Sequence, residues 1–115
     1  MYITKIDFKE ITMNTITINN ITSLDAQHKQ IRITVENKFL FPAEKIGFPQ
    51  TYNLTFIIQD TEFIARYRIG SHDGKSRSGV LKIGTHPYIN LLQITEGSTL
   101  KITKNQDYKY SIVKN

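Results

Sequence analysis

The 115 residues include no cysteine and no tryptophan, and only three prolines and six glycines. Without cysteine, disulfides and thiolate metal sites are excluded. No apolar run approaches the roughly 20 residues that a membrane helix needs. The N-terminal Met1-Tyr-Ile-Thr-Lys-Ile-Asp also lacks the apolar centre of a secretory leader. The expectation is a cytoplasmic chain with no membrane contact. Asn20-Ile-Thr and Asn53-Leu-Thr match the glycosylation pattern, but that pattern means little outside a secretory context.

Catalytic signatures are equally scarce. The histidines are His28, His72 and His86, and none forms a His-x-x-x-His pair. His72 and Asp73 are neighbours in sequence, which does not put an acid behind an imidazole. No paired-carboxylate motif points to a metal. No catalytic residue, metal or cofactor is therefore expected, and the chain is read as no enzyme by itself. Gly70-Ser-His-Asp-Gly-Lys-Ser is one residue short of the phosphate-loop pattern, and that pattern needs a helix directly after it. Here another glycine and a strand-like run follow.

What is present is alternation. Met13-Asn-Thr-Ile-Thr-Ile-Asn and Gln30-Ile-Arg-Ile-Thr-Val-Glu both have period two, the mark of half-buried strands. Tyr52 to Gln59 reads as a strand, Asp60-Thr-Glu as a tight turn, and Phe63 to Ile69 as the antiparallel return. Val80-Leu-Lys-Ile is a short strand. Thr99 to Lys104 and Tyr108 to Val113 form a last hairpin across Asn105-Gln-Asp107. Two segments break the pattern. Pro42-Ala-Glu-Lys-Ile, with proline at the first position, predicts one helical turn. Thr85-His-Pro-Tyr-Ile-Asn-Leu-Leu predicts a helix of about two turns. Many short strands with two small helices suggest a barrel or a strongly twisted half-barrel. The length fits one domain over residues 1–115, with residues 1–21 either an extra edge strand or a linker. An apolar fraction of 39%, helped by six Tyr and six Phe, suffices for a compact core.

The net charge of +5 is unevenly spread. Residues 1–62 hold six Lys/Arg against seven Asp/Glu, while residues 63–115 hold nine against three. The centre of this asymmetry is the run from Arg66 to Lys82, where Arg66, Arg68, Lys75, Arg77 and Lys82 face a single carboxylate, Asp73. A glycine- and serine-punctuated loop that crowds like charge in this way calls for an external anion, and a nucleic acid is the natural one. Arg and His can read base edges, Asp can accept from a cytosine amino group, and Ser and Lys hold phosphates. His72, Asp73 and Arg77 are therefore candidates for base contact. Lys75, Ser76 and Ser78 are candidates for the phosphate backbone, and Ser71 is a further candidate DNA contact in the same loop. Arg66 and Arg68, two apart, leave the same face of their strand. Each of these also has a plainer reading as a solvated loop or the polar face of a strand.

Phe39-Leu-Phe-Pro-Ala-Glu-Lys-Ile-Gly-Phe-Pro resembles the segment of plant B-three transcription-factor domains where a strand ends in proline, passes a helical turn and stops at Phe-Pro. Gln93-Ile-Thr-Glu-Gly-Ser-Thr-Leu-Lys-Ile resembles their closing motif, with Ser98 where Asp is usual. Gly74-Lys-Ser-Arg-Ser-Gly-Val-Leu81 is similar to the recognition domains of EcoRII-like and BfiI-like restriction endonucleases. The resemblance covers roughly residues 22–113. It implies a mainly β (α+β) fold, a seven-stranded open pseudobarrel with two short helices. It also implies that two arms grip the major groove of double-stranded DNA, as the recognition module of a restriction endonuclease or a standalone relative. The C-arm corresponds to Gly70–Gly79. The N-arm corresponds to the polar stretch before Phe39, with Gln27, His28, Lys29, Gln30, Arg32, Asn37 and Lys38. The partner is double-stranded DNA, with a nuclease domain or subunit as a second partner.

Two rival readings stand beside this one. One is a single-stranded nucleic-acid barrel that stacks bases on Tyr52, Tyr67, Tyr108 or Tyr110. The other is a β domain that binds protein or sugar.

Overall fold

The computed structural model of the protein describes residues 14–70, 79–82 and 92–114. Seven strands form one sheet: β1 (Thr15–Ile18), β2 (Gln30–Ile33), β3 (Gln50–Ile58), β4 (Thr61–Ile69), β5 (Gly79–Lys82), β6 (Leu100–Gln106) and β7 (Lys109–Lys114). Their order is β1-β6-β7-β3-β4-β5-β2. All neighbours are antiparallel except β3 and β7, which run parallel with Phe56 opposite Tyr110. β1 and β2 are consecutive in sequence yet lie at opposite edges. Curling the sheet brings those edges towards each other, and residues 19–29 bridge them. The result is the nearly closed, mainly β pseudobarrel with two short helices.

Period-two burial builds the core. Tyr52, Leu54, Phe56 and Ile58 of β3 point inward, as do Ala65, Tyr67 and Ile69 of β4. Ile31, Ile33, Leu81, Leu100, Ile102 and Ile112 continue the same inner face. Phe41 plugs the centre. Its ring stacks on Tyr67 at 4.8 Å and on Tyr110 at 5.0 Å, and the buried Tyr110 hydroxyl donates to the Leu40 carbonyl at 2.7 Å. The β3–β4 hairpin turns at Gln59 and Asp60, both with positive φ (50° and 67°), the backbone of a type I′ turn. Between β6 and β7 the register slips at Asn105, whose amide donates to Ser111 Oγ at 2.7 Å.

The described residues hold two short helices that the sequence reading did not place. One is α1 (Ser23–His28). It starts in a capping box: the Thr22 hydroxyl accepts from Asp25 N–H, and the Asp25 carboxylate accepts from Thr22 N–H. The other is a 3-10 helix over Val35–Leu40. β2 therefore stops at Ile33, and Asn37-Lys38 lies in the 3-10 helix. The turn expected at Pro42-Ala-Glu-Lys-Ile is irregular. Side chains capture the backbone groups a helix would use there. Lys45 N–H donates to the Tyr52 hydroxyl at 2.9 Å, and the Gln50 amide takes the carbonyls of Lys45 (2.6 Å) and Gly47 (2.9 Å). The helix expected over Thr85–Leu92 lies outside the described residues apart from Leu92, which is buried.

Ser98 closes a tight turn in which its N–H donates to the Thr95 carbonyl at 3.0 Å and its Oγ accepts from Thr95 N–H at 2.9 Å. Gly97 supplies the positive φ (82°) that turn requires. A short hydroxyl thus does locally what a carboxylate oxygen would do. Among the described residues, no helix is long and apolar enough to cross a membrane.

Candidate nucleic-acid interface

Strand register fixes which polar side chains share a surface. Residues directly opposite in an antiparallel pair point to the same side of the sheet, and adjacent strands lie about 4.8 Å apart. Lys82 stands opposite both Gln30 and Arg66, and Arg66 opposite Asn53, so Gln30, Lys82, Arg66 and Asn53 form one row across β2, β5, β4 and β3. Two residues along, Arg32, Val80, Arg68 and Thr51 form the next. Both rows lie on the outer face, because Ile31, Leu81, Tyr67 and Tyr52 between them are buried. Arg66, Arg68 and Lys82 are exposed. The two ion pairs found among the described residues are Arg32–Asp25 and Lys104–Asp107, so these three cations have no carboxylate partner there. Like charges opposite one another on a sheet repel, and Arg66 faces Lys82 directly. Folding tolerates that concentration of charge, and an anionic partner would relieve it.

The same register locates the two ends of the segment 70–79. Gly79 pairs with both Ile69 and Ile33. The loop 70–78 therefore leaves and re-enters the barrel at one rim, beside the end of β2. Thr34 follows Ile33 there, so Asn37 and Lys38, both half-buried in the 3-10 helix, follow β2 at the rim where residues 70 and 79 lie. Gln27, His28 and Lys29 precede Gln30 and belong to the opposite end of β2, about 10 Å away for a four-residue strand. Gln30 and Arg32 lie between the two groups, on the outer face. The N-arm candidates thus divide into a rim group, a face group and a group at the far end. Ser71, His72, Asp73, Lys75, Ser76, Arg77 and Ser78 lie outside the described residues. The next described residue, Gly79, opens the strand β5, where a phosphate-binding loop would be followed by a helix.

Gln30 and Arg32 are not loose. Both donate to Asp25 of α1, Arg32 Nε to Oδ2 at 3.0 Å and Gln30 Nε2 to Oδ1 at 3.2 Å. The Asp25 carboxylate is almost fully buried. Burial by itself would raise its pKa. The hydrogen bonds from Gln30, Thr22 N–H and Arg32, with the Arg32 charge, outweigh burial and hold the carboxyl below its ordinary 3.8. Sequence reasoning missed Asp25 and counted Lys82 among the cations without naming it a contact residue. The readable signal for Asp25 was Thr22-x-x-Asp25, which has the spacing of a capping box.

Three of the four tyrosines offered as stacking platforms are core residues. Tyr52, Tyr67 and Tyr110 are each at most 3% exposed. Burial raises the pKa of the Tyr67 and Tyr110 hydroxyls, with nearby Tyr52 and Tyr67 respectively adding to the rise. Tyr108 alone reaches solvent. It lines a cleft of about 450 Å³ at the tip of the last hairpin, with Phe41, Pro42, Glu44, Lys104, Asp107 and Tyr110. The Lys104 ammonium there is taken by Asp107 at 3.2 Å.

No protein-family model matches the chain, and no curated protein matches it. Among solved structures it is similar to the Arabidopsis FUS3–DNA complex, with a TM-score of 0.66 and 14% identity over 87% of this chain and 94% of that one. It is also similar to the hypothetical Arabidopsis thaliana protein At1g16640.1, with a TM-score of 0.56 and 14% identity over 90% of this chain and 92% of that one. What is shared at this identity is the fold, a B-three-like pseudobarrel.

Proposed function

We propose that the chain is a sequence-specific binder of double-stranded DNA, non-catalytic by itself, which grips the major groove between the C-arm 70–79 and the N-arm segment 27–38. One observation carries this reading. The outer face of β2, β5 and β4 presents Arg32, Lys82, Arg66 and Arg68 in two adjacent rows, continuous with the rim where the C-arm is rooted. The fold shared with a protein solved as a DNA complex supports it. Phosphate contacts would supply affinity, and base contacts from the arms would supply sequence preference.

The role as recognition module of a restriction endonuclease rests on the resemblance at residues 74–81 alone, and so does a nuclease domain or subunit as partner. Any cleavage chemistry would belong to that other domain or chain. A cytoplasmic location is part of the same proposal, on the sequence grounds given above. Burial of Tyr52, Tyr67 and Tyr110 counts against the single-strand stacking reading.

The test is selection of a preferred duplex from a random pool, methylated and unmethylated, followed by competition with the matching single strands. Enrichment of one duplex motif that single strands do not displace is the expected result. Failure to enrich any duplex, or preference for the single strand, would overturn the reading. Binding to no nucleic acid at all would favour the protein- or sugar-binding alternative.

A further inference from the structure

Arg32 and Gln30 are rotamer-rich side chains, and fixing such groups at the moment of binding weakens affinity. Here both are already fixed, and by a residue that is almost fully buried. The Asp25 side chain is 4% exposed while that of Arg32 is 42% exposed. Helix capping explains one of Asp25's contacts, the N–H of Thr22 at 3.3 Å. It does not explain the contacts to Arg32 and Gln30 on the neighbouring strand.

We propose that Asp25 is a positioning residue of the DNA interface, holding Arg32 and Gln30 as one pre-set pair that faces the duplex. The inference rests on the DNA-binding reading above.

The chemistry of each group dictates what it offers outward. Asp25 engages the Nε edge of the guanidinium, which leaves the Nη1–Nη2 fork for a bidentate contact to guanine O6/N7 or to a phosphate. An ionised carboxylate can only accept, so the Gln30 amide must turn its NH2 group towards Asp25, and Oε1 then points away as an acceptor. Arg32 and Lys82 sit in adjacent rows of the same outer face, so the guanidinium held by Asp25 belongs to the cationic surface.

The role is tested by a double-mutant cycle on a selected duplex. Anisotropy titrations and thermal melts would cover the wild type, Asp25→Asn, Arg32→Ala, Arg32→Lys, the double variant Asp25→Asn/Arg32→Ala, and Thr22→Ala. Asp25→Asn is expected to weaken binding on the order of tenfold, and the double variant to bind no more weakly than Arg32→Ala alone. Arg32→Lys keeps a cation beside Asp25 but has no planar fork. It should melt like the wild type and bind like Arg32→Ala. Thr22→Ala removes the other half of the capping box, the Asp25 N–H to Thr22 Oγ1 bond of 3.1 Å. It should lower Tm and leave affinity unchanged. Additive losses from Asp25→Asn and Arg32→Ala, or equal affinity losses in Thr22→Ala and Asp25→Asn, would overturn the positioning role while DNA binding stands. A wild-type protein that binds no selected duplex would overturn both.

Discussion

The Tyr67 ring lies directly across the backbone of Gly79. A Cβ at Gly79 would meet Tyr67 Cε1 and Oη at 2.6 Å. Gly79 is where the cationic loop re-enters the sheet, paired with Ile69 and Ile33. The ring cannot easily retreat, because it is fully buried and stacked on Phe41 at 4.8 Å. The close approach ties the start of β5 to the aromatic centre of the barrel. Gly79→Ala is therefore expected to destabilise the protein by about 1–3 kcal/mol, the usual range for overpacking a core. A urea melt checks this. An unchanged midpoint would mean that the ring moves freely.

The stability of the α1–β2 contact should depend on pH with a definite sign. Asp25 titrates below its ordinary 3.8 in the folded protein. A depressed carboxyl contributes its stability in full above the unfolded value, and that contribution is lost as pH falls through the folded value. The gap in Tm between wild type and Asp25→Asn should be widest near neutral pH and shrink below about pH 4. A gap that widens in acid would contradict the network described.

On the proposed DNA-binding reading, Arg77 would read a base and Lys75 would hold the backbone. Arg77→Ala should weaken a selected duplex by about 1–3 kcal/mol and relax the preference at one base position. Lys75→Ala should weaken all duplexes alike. Selection repeated with each variant reads both effects. An unchanged motif and affinity for Arg77→Ala would remove that residue from the interface.

Much of this was legible in the chain. Alternation marked all seven strands, since a sheet with one buried face writes period two into its sequence. The Gln59–Asp60 turn and the last hairpin fell close to their expected positions. The helices Ser23–His28 and Val35–Leu40 were not legible, because both are six residues long and lack an apolar stripe. At Pro42 to Ile46 the local helical signal was real but lost to tertiary hydrogen bonds. Tyr52 and Gln50 took the backbone groups of Lys45 and Gly47, partnerships that sequence does not display. The face shared by Arg32, Lys82, Arg66 and Arg68 needed the order β4-β5-β2, in which strands far apart in sequence become neighbours.

The most direct measurement of the central claim is the salt dependence of duplex affinity, for the wild type and for the triple variant Arg66→Ala/Arg68→Ala/Lys82→Ala. Between about 50 and 200 mM salt, log affinity against log salt should fall on a straight line for the wild type. Each phosphate-contacting cation removed should reduce the slope by about 1. A wild-type affinity that does not change with salt, or a triple variant with the wild-type slope, would contradict the claim that this outer face meets the DNA backbone.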